Sequence, residues 1–161
     1  MKKNLFLFII AAVLVTNCQQ TPEQVPIDIE TEKEAIIAVI EQEFDAYNAR
    51  DLNQQSKFYL QDESIMMQYS GEGSYGIGFG WKEIKEGYER FYAIKSNPES
   101  NKSKLENYHV KIYEKSAWAS YDELWYDTDG QYIWKNVNVK FFEKVEGEWK
   151  IVFLSQLTNV E

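Results

Sequence analysis

The second half of this 161-residue chain alternates between apolar and polar side chains, and this alternation constrains the fold more than any other feature. A period of two residues is typical of strands that bury one face. Turn signals divide the region into four predicted strands, at residues 105–113, 117–126, 131–142 and 149–157. Two of the turns place a glycine last in a three-residue loop, where a left-handed backbone is needed. We therefore predict a four-stranded antiparallel meander.

The part of the chain that precedes this meander shows a helical period instead. A first helix is predicted to begin at Thr31, which has the spacing of a capping box. A short helix is predicted at residues 52–60, a short strand at 65–69, and a glycine-rich loop at 71–80 before a third amphipathic helix. Three helices followed by a meander predict one α+β domain, at residues 31–161.

The predicted turn lengths also set the register of the strands. If Asp127 pairs with Gln131, then Tyr121 lies opposite Val137 on a mostly apolar face that should meet the helices. The polar exceptions on that face are Tyr121, Glu123 and Ser155. The other face would carry an apolar patch made of Trp134, Phe142, Val152 and Leu154. Because such a patch on an exposed sheet is typical of an interface, we predict a homodimer there, with a monomer as the alternative.

A carboxylate on the core-facing side of a sheet is costly unless it is hydrogen-bonded or protonated. Glu123 is therefore the main candidate for a functional acid or base, with Tyr121 and Ser155 as its candidate partners. The aromatic side chains predicted to form the walls of a pocket are Tyr47, Tyr69, Trp81 and Trp125. The alternative is that Glu123 only forms a structural pair with a tyrosine or with Lys135.

The residue composition of the chain argues against several kinds of functional site. One histidine and one cysteine argue against a zinc site or a nucleophile–histidine arrangement, so no metal and no cofactor are predicted. His109 is predicted to point to the outer face of the sheet. A G-x-G-x-x-G pattern at residues 71–76 lacks the βαβ context of a dinucleotide site and indicates a rim loop instead. A net charge of −9 argues against a nucleic-acid partner.

The N-terminal segment resembles a bacterial lipoprotein signal peptide. Two lysines precede an apolar run that is too short to span a bilayer and ends near Cys18, the only cysteine. The resemblance implies that residues 1–17 are removed by cleavage and that the Cys18 sulfur is lipidated. The lipid would anchor the protein stably in the cell envelope. Residues 18–30 would form a tether that places the domain on the periplasmic or extracellular side. Ordinary cleavage to a soluble secreted protein is the alternative.

Three short segments are similar to the nuclear transport factor 2-like (NTF2-like) superfamily, which includes the SnoaL-like domains. They are Tyr-Asn-Ala-Arg-Asp-Leu at 47–52, Gly-Trp-Lys-Glu-Ile at 80–84 and Gly-Glu-Trp-Lys-Ile-Val at 147–152. The resemblance implies a cone-shaped, curved antiparallel sheet packed on three helices, with a ligand pocket at the open end. It also implies homodimers that form sheet to sheet.

The resemblance carries over to single residues only in part. Glu43 and Met67 occupy the positions of the first-helix tyrosine and the catalytic aspartate of ketosteroid isomerase, so isomerase chemistry of that kind is not implied. Phe153 and Ser155 match two pocket histidines of the kinase association domain, which adds Phe153 to the predicted ligand-binding residues.

Together these features predict an envelope-anchored SnoaL-like domain. It would bind a small, largely apolar molecule in an aromatic-lined pocket, with proton transfer by Glu123 as its candidate chemistry. The alternative is a non-catalytic dimerisation or interaction module of the cell envelope. An open cavity that contains Glu123 would favour the first interpretation, and a filled one would leave the second.

Overall fold

The computed structural model describes residues 28–71, 74–94 and 102–158, so the predictions that concern residues 1–27, including Cys18, lie outside the described residues. The elements in chain order are α1 (Ile29–Asn48), α2 (Leu52–Gln55), β1 (Met66–Gly71), β2 (Ser74–Phe79), α3 (Gly80–Ile94), β3 (Lys102–Ile112), β4 (Ser116–Tyr126), β5 (Tyr132–Val145) and β6 (Glu148–Thr158). A short 3₁₀ turn follows α2 directly. Within the described ranges, no helix has both the length and the apolarity needed to cross a bilayer.

Six strands form one curved, open sheet in the order β2-β1-β6-β5-β4-β3, and the helices pack against it. The pairing of β1 with β6 is parallel, and every other pairing is antiparallel. The predicted α+β class and the helix-covered curved sheet are therefore confirmed. The hydrophobic core fills the end of the sheet near the β5–β6 turn, where Phe142, Trp149 and Ile151 meet Ile36 and Ile40 of α1.

The first helix begins at Ile29 rather than at the predicted Thr31. The carboxylate of Asp28 accepts the backbone N–H of Thr31 at 3.3 Å and its hydroxyl at 2.8 Å, so the cap lies upstream of the threonine. The buried side chains of α1 are Ile36, Ile40, Glu43 and Ala46. Their spacing of three and four residues places them on one face, toward the sheet.

Most of the segment predicted as a glycine-rich loop is a strand. β2 alternates large apolar side chains with glycines and pairs with β1 along its whole length. Gly76 lies opposite Tyr69, and a Cβ atom at Gly76 would come within 2.3 Å of Tyr69 Cε1. The glycine therefore leaves the space that the neighbouring ring occupies, and it does not mark a loop.

The hairpin between β4 and β5 contains a bulge that the alternation of the sequence does not reveal. The turn itself is as predicted, because Gly130 has a φ of 82° and Tyr126 pairs with Tyr132. The next pair joins Trp125 to Trp134, which leaves one residue of β5 without a partner across the hairpin.

Because side chains alternate along a strand, this one-residue shift turns over the rest of β5. Tyr121 lies opposite Asn138, whereas the predicted partner was Val137. The side chains of β5 that face the helices are Asn136, Asn138, Lys140 and Phe142. Those that face outward are Val137, Val139 and Phe141.

The turn between β5 and β6 also differs from the prediction. Val145 pairs directly with Glu148, so the loop has two residues rather than three. Glu146 and Gly147 have φ angles of 52° and 89°, as a type I′ turn requires. A second register shift follows: Phe142 pairs with Ile151 but Phe141 pairs with Phe153, so Val152 of β6 has no partner across this hairpin.

The two shifts overturn the predicted dimer patch. Phe142 is 1% exposed and belongs to the core, and Leu154 lines the cavity described below. Trp134 stacks on Trp125 with ring centroids 5.4 Å apart. Val152 lines an outer depression together with Phe141, and the buried Phe142 borders the same depression.

Candidate functional site

A cavity of about 260 Å³ lies between the inner face of the sheet and the helices. The helices contribute Glu43, Phe44, Tyr47, Tyr88 and Phe91 to its lining. The sheet contributes Met67, Gln68, Tyr69, Tyr121, Glu123, Asn138, Lys140, Leu154 and Gln156. Since a cavity of about 150 Å³ can hold benzene, this one has room for a molecule larger than a single ring.

One charged cluster at the cavity is a buried ion pair. Lys140 Nζ lies 2.6 Å from Glu43 Oε2, and the two side chains are only 2% and 6% exposed. The other carboxylate oxygen of Glu43 accepts hydrogen bonds from Gln55 Nε2 and from the Tyr59 hydroxyl, both at 2.7 Å. A buried charge is tolerated when a partner and further hydrogen bonds replace its water, and Glu43 has both.

Each member of this ion pair keeps the other in its charged form. Burial alone would raise the pKa of Glu43, but the charge of Lys140 and the hydrogen bonds to the carboxylate hold the pKa below its ordinary value. Burial likewise acts to lower the pKa of Lys140, and the nearby Glu43 carboxylate raises it above the usual range. Burial also raises the pKa of Tyr121 to about 12. None of these three groups changes its charge near neutral pH.

Tyrosine hydroxyls extend this cluster toward α3. The Tyr59 and Tyr88 hydroxyl oxygens lie 3.1 Å apart, and the Tyr92 hydroxyl donates to Gln55 Oε1 at 2.6 Å. Burial raises the pKa values of Tyr59 and Tyr88 well above normal, so both remain neutral donors. The hydrogen bonds therefore connect α1, α2 and α3 around the carboxylate of Glu43.

Glu123 occupies a different environment, although it is equally buried at 3% exposure. Its Oε1 accepts a hydrogen bond from the indole of Trp125 at 2.7 Å. Its Oε2 accepts from Asn136 Nδ2 and Asn138 Nδ2, each at 3.1 Å, and from Gln156 Nε2 at 3.0 Å. All four donors are neutral, and among the described residues no cation bonds this carboxylate.

These bonds fix how two of the amides face the cavity. A carboxylate accepts hydrogen bonds only from the amide nitrogen, so the oxygens of Asn138 and Gln156 turn away from Glu123. Both residues line the cavity, and no hydrogen bond among the described residues uses their side-chain oxygens as acceptors. Glu123 therefore organises the polar end of the cavity before any ligand is present.

Four of the residues predicted for the site line the cavity: Glu123, Tyr121, Tyr47 and Tyr69. Trp125 is not among the lining residues, but its indole holds Glu123. Lys135, the alternative partner for Glu123, pairs instead with Asp122 at 3.7 Å.

Three other predicted site residues lie elsewhere. Trp81 stacks on Tyr59 in the core, with centroids 5.4 Å apart. Phe153 packs on Phe141 on the outer face, at 5.5 Å, because the second register shift reverses this part of β6. For the same reason Ser155 points away from the cavity, and its hydroxyl accepts a hydrogen bond from Gln68 Nε2 at 3.0 Å.

Sequence reasoning missed five polar residues of the cavity: Glu43, Gln68, Asn138, Lys140 and Gln156. A signal existed for Glu43, because it follows Ile40 by three residues on the apolar face of α1. Asn138, Lys140 and Gln156 lie on β5 and β6, where the bulges reverse the faces that simple alternation predicts. His109 is exposed, as predicted.

Comparison with known proteins identifies the fold. No family model and no curated protein sequence matches the chain. A solved NTF2-like protein of unknown function from Shewanella oneidensis MR-1 matches with a TM-score of 0.61 and 18% identity, over 78% of this chain and 98% of that one. A structure from the NTF2-like family of Streptomyces avermitilis, described provisionally as a dehydratase, matches with a TM-score of 0.65 and 17% identity, over 83% and 99%.

A third similar structure is the association domain of C. elegans CaMKII, with a TM-score of 0.62 and 20% identity, over 79% of this chain and 95% of that domain. At these identities the matches establish the fold alone. The chain has the NTF2-like fold, in agreement with the resemblance found in its sequence.

Proposed function

We propose that this domain binds a small amphipathic molecule in its cavity. The apolar part of the ligand would pack against the aromatic side chains of α1 and α3, and its polar end would meet Glu123, Asn138, Lys140 and Gln156. The observation that carries the proposal is that these polar groups, which line a cavity with mostly apolar and aromatic walls, are already held by hydrogen bonds. Few, well-placed polar groups in an apolar pocket are typical of ligand sites.

The contacts favour binding over turnover. Both oxygens of Glu123 accept N–H hydrogen bonds, and the carboxylate thereby holds the amides of Asn138 and Gln156 in place. The raised pKa values of Tyr121 and Lys140 and the lowered pKa of Glu43 keep these groups from exchanging protons at neutral pH. Glu123 then acts as a positioning residue for the amides.

The binding proposal can be tested with ligand-observed NMR on the full chain, with 2-phenylethanol as the probe. The variant Leu154→Trp should fill the cavity and abolish the binding signal, because Leu154 lines it. A matched control is Gln131→Trp, which adds the same indole at an exposed turn. Equal binding by the wild type and both variants would mean that the probe binds outside the cavity.

A second function, homodimerisation, is favoured by the outer face of the sheet. Phe141 is 45% exposed there and packs on Phe153, and β2 exposes Tyr75 and Phe79. Exposed apolar side chains on one face are typical of an interface. We therefore place the dimer surface around Phe141, on the opposite side of β5 from the predicted Phe142.

Sedimentation velocity over a range of concentrations tests this second function. Phe141→Asp should shift the protein to monomer, since it places a charge at the centre of the proposed surface. Tyr132→Asp, at another exposed position of the same strand, should leave the association unchanged. A monomeric wild type at high concentration would remove dimerisation from consideration.

The envelope anchor remains a proposal that rests on the sequence around Cys18. Replacement of Cys18 by serine should prevent lipidation and release the protein from the membrane fraction of an expressing bacterium. Cell fractionation followed by mass spectrometry of the N-terminal peptide measures both effects. If the mature Cys18→Ser protein stays in the membrane fraction, lipidation does not anchor it.

A further inference from the structure

The charges of the residues that line the cavity do not balance, although the Arg50 guanidinium lies over two of the lining rings, those of Tyr47 and Phe91. The lining residues carry two carboxylates and one ammonium, and Lys140 is paired with Glu43 at 2.6 Å. Glu123 contributes the remaining negative charge, and its described partners are all neutral. Because buried carboxylates are normally paired with a cation, this arrangement leaves a place for a positive group at the cavity.

The hydrogen bonds to Glu123 show where such a group would bind. A carboxylate has about four acceptor sites, two on each oxygen. Three donors crowd onto Oε2, whereas Oε1 accepts from Trp125 alone. Oε1 therefore keeps an acceptor site, and Glu123 lines the cavity.

The walls of the cavity suit the same class of ligand. The faces of aromatic rings attract organic cations, and three of the lining rings already do so: Arg50 Cζ lies 5.1 Å and 4.8 Å from the ring centroids of Tyr47 and Phe91, and Lys140 Nζ lies 5.7 Å from that of Tyr121. Phe44 and Tyr88 also line the cavity, and among the described residues no cation lies over their rings. The net charge of −9 over the chain would also raise the local concentration of cations near the protein.

We propose that the ligand of this cavity is a small organic amine, protonated at neutral pH. Its ammonium group donates to Oε1 of Glu123 and to the oxygens of Asn138 and Gln156, and its apolar body lies among the aromatic rings. This inference rests on the proposed function, since it assigns a chemical class to the same cavity. It excludes carboxylic acids, which Glu123 would repel.

Three probes of similar shape test the charge preference on the full-length protein: 2-phenylethylamine, 2-phenylethanol and phenylacetate. Isothermal titration calorimetry should give a dissociation constant for the amine at least about tenfold lower than that for the alcohol. Phenylacetate should bind most weakly of the three. If the alcohol binds as tightly as the amine, the amine assignment is wrong and the binding function stands.

The variant Glu123→Gln removes the charge and keeps the length of the side chain. The amine should lose its tenfold advantage over the alcohol, whatever change in affinity the two probes share, because the charge that distinguishes them is gone. Glu89→Gln is the matched control, because it removes a glutamate charge from the exposed face of α3 and should leave the advantage intact. An advantage that survives in Glu123→Gln would overturn the assignment.

A second variant guards against a folding defect in Glu123→Gln. Phe44→Leu removes one aromatic face and leaves the carboxylate cluster in place, so it should reduce the affinity for the amine more than that for the alcohol. Equal losses for both probes would contradict the inference. If none of the probes binds, or if all bind equally to Leu154→Trp, both the amine assignment and the proposed function fail.

Discussion

Glu43 and Glu123 are equally buried carboxylates on facing elements of the same cavity, yet the protein stabilises them in different ways. Glu43 has a cation at 2.6 Å and two further donors, whereas Glu123 has four neutral N–H donors. The charges of the first cluster balance each other, and its hydrogen bonds join α1 to β5 and to the residues around α2. The second cluster keeps a net charge and an acceptor site at the cavity. The difference separates a structural role from the ligand-binding role that we propose for Glu123.

The largest effect should come from breaking the ion pair. Lys140→Met leaves the Glu43 charge buried without its cation, and we expect a loss of about 3–5 kcal/mol in the free energy of unfolding. Urea denaturation followed by circular dichroism measures the change. The double variant Glu43→Gln with Lys140→Met should recover most of the loss, because no charge is then buried. A double variant as unstable as the single one would contradict this account.

Replacement of Glu123 by glutamine should cost less, about 1–3 kcal/mol by the same measurement. The oxygen of the new amide can still accept hydrogen bonds from some of the four neutral donors. The nitrogen of the new amide, however, would face N–H groups, and these cannot accept a hydrogen bond. If Glu123→Gln destabilises the protein more than Lys140→Met does, the ranking of the two clusters is reversed.

A lower pH should produce a smaller loss of stability, and Glu43 should be its cause. Its pKa is lower in the folded protein than the ordinary 4.5, so the stability it contributes is present above that pH and is lost as the pH falls through the folded-state value. The urea midpoint of the wild type should therefore fall more steeply below pH 4.5 than that of the double variant. If the urea midpoints of the two proteins fall equally as the pH is lowered, Glu43 is not responsible for the acid sensitivity.

The smallest effect is expected at the half-buried pair on the outer face. Lys135 lies 3.7 Å from Asp122, with side-chain exposures of 28% and 21%. Lys135→Ala should change the free energy of unfolding by less than about 1 kcal/mol, because water screens both charges. A loss as large as that of Lys140→Met would show that burial does not set the strength of these pairs.

The sequence predicts the architecture well because alternation, helical spacing and turn glycines are local signals. Tyr121 and Glu123 are correctly predicted to face inward, since they lie on β4, whose alternation is unbroken. Lys140 and Asn138 could not be found in this way, because the bulge that turns them inward adds one residue without any change in composition. β2 was not predicted, because a run of glycines usually indicates a loop. Only the structure shows that the ring of Tyr69 occupies the space beside Gly76.

The bulge in the hairpin of β4 and β5 also has a consequence for sequence change. In β5 the inward side chains are mostly polar and the outward ones are apolar, which is the reverse of an ordinary surface strand. Loss of a single residue at Ile133 would exchange the two sets and fill the cavity with Val137 and Val139. Surface hairpins usually tolerate insertions and deletions, but the length of this one decides whether the cavity exists at all.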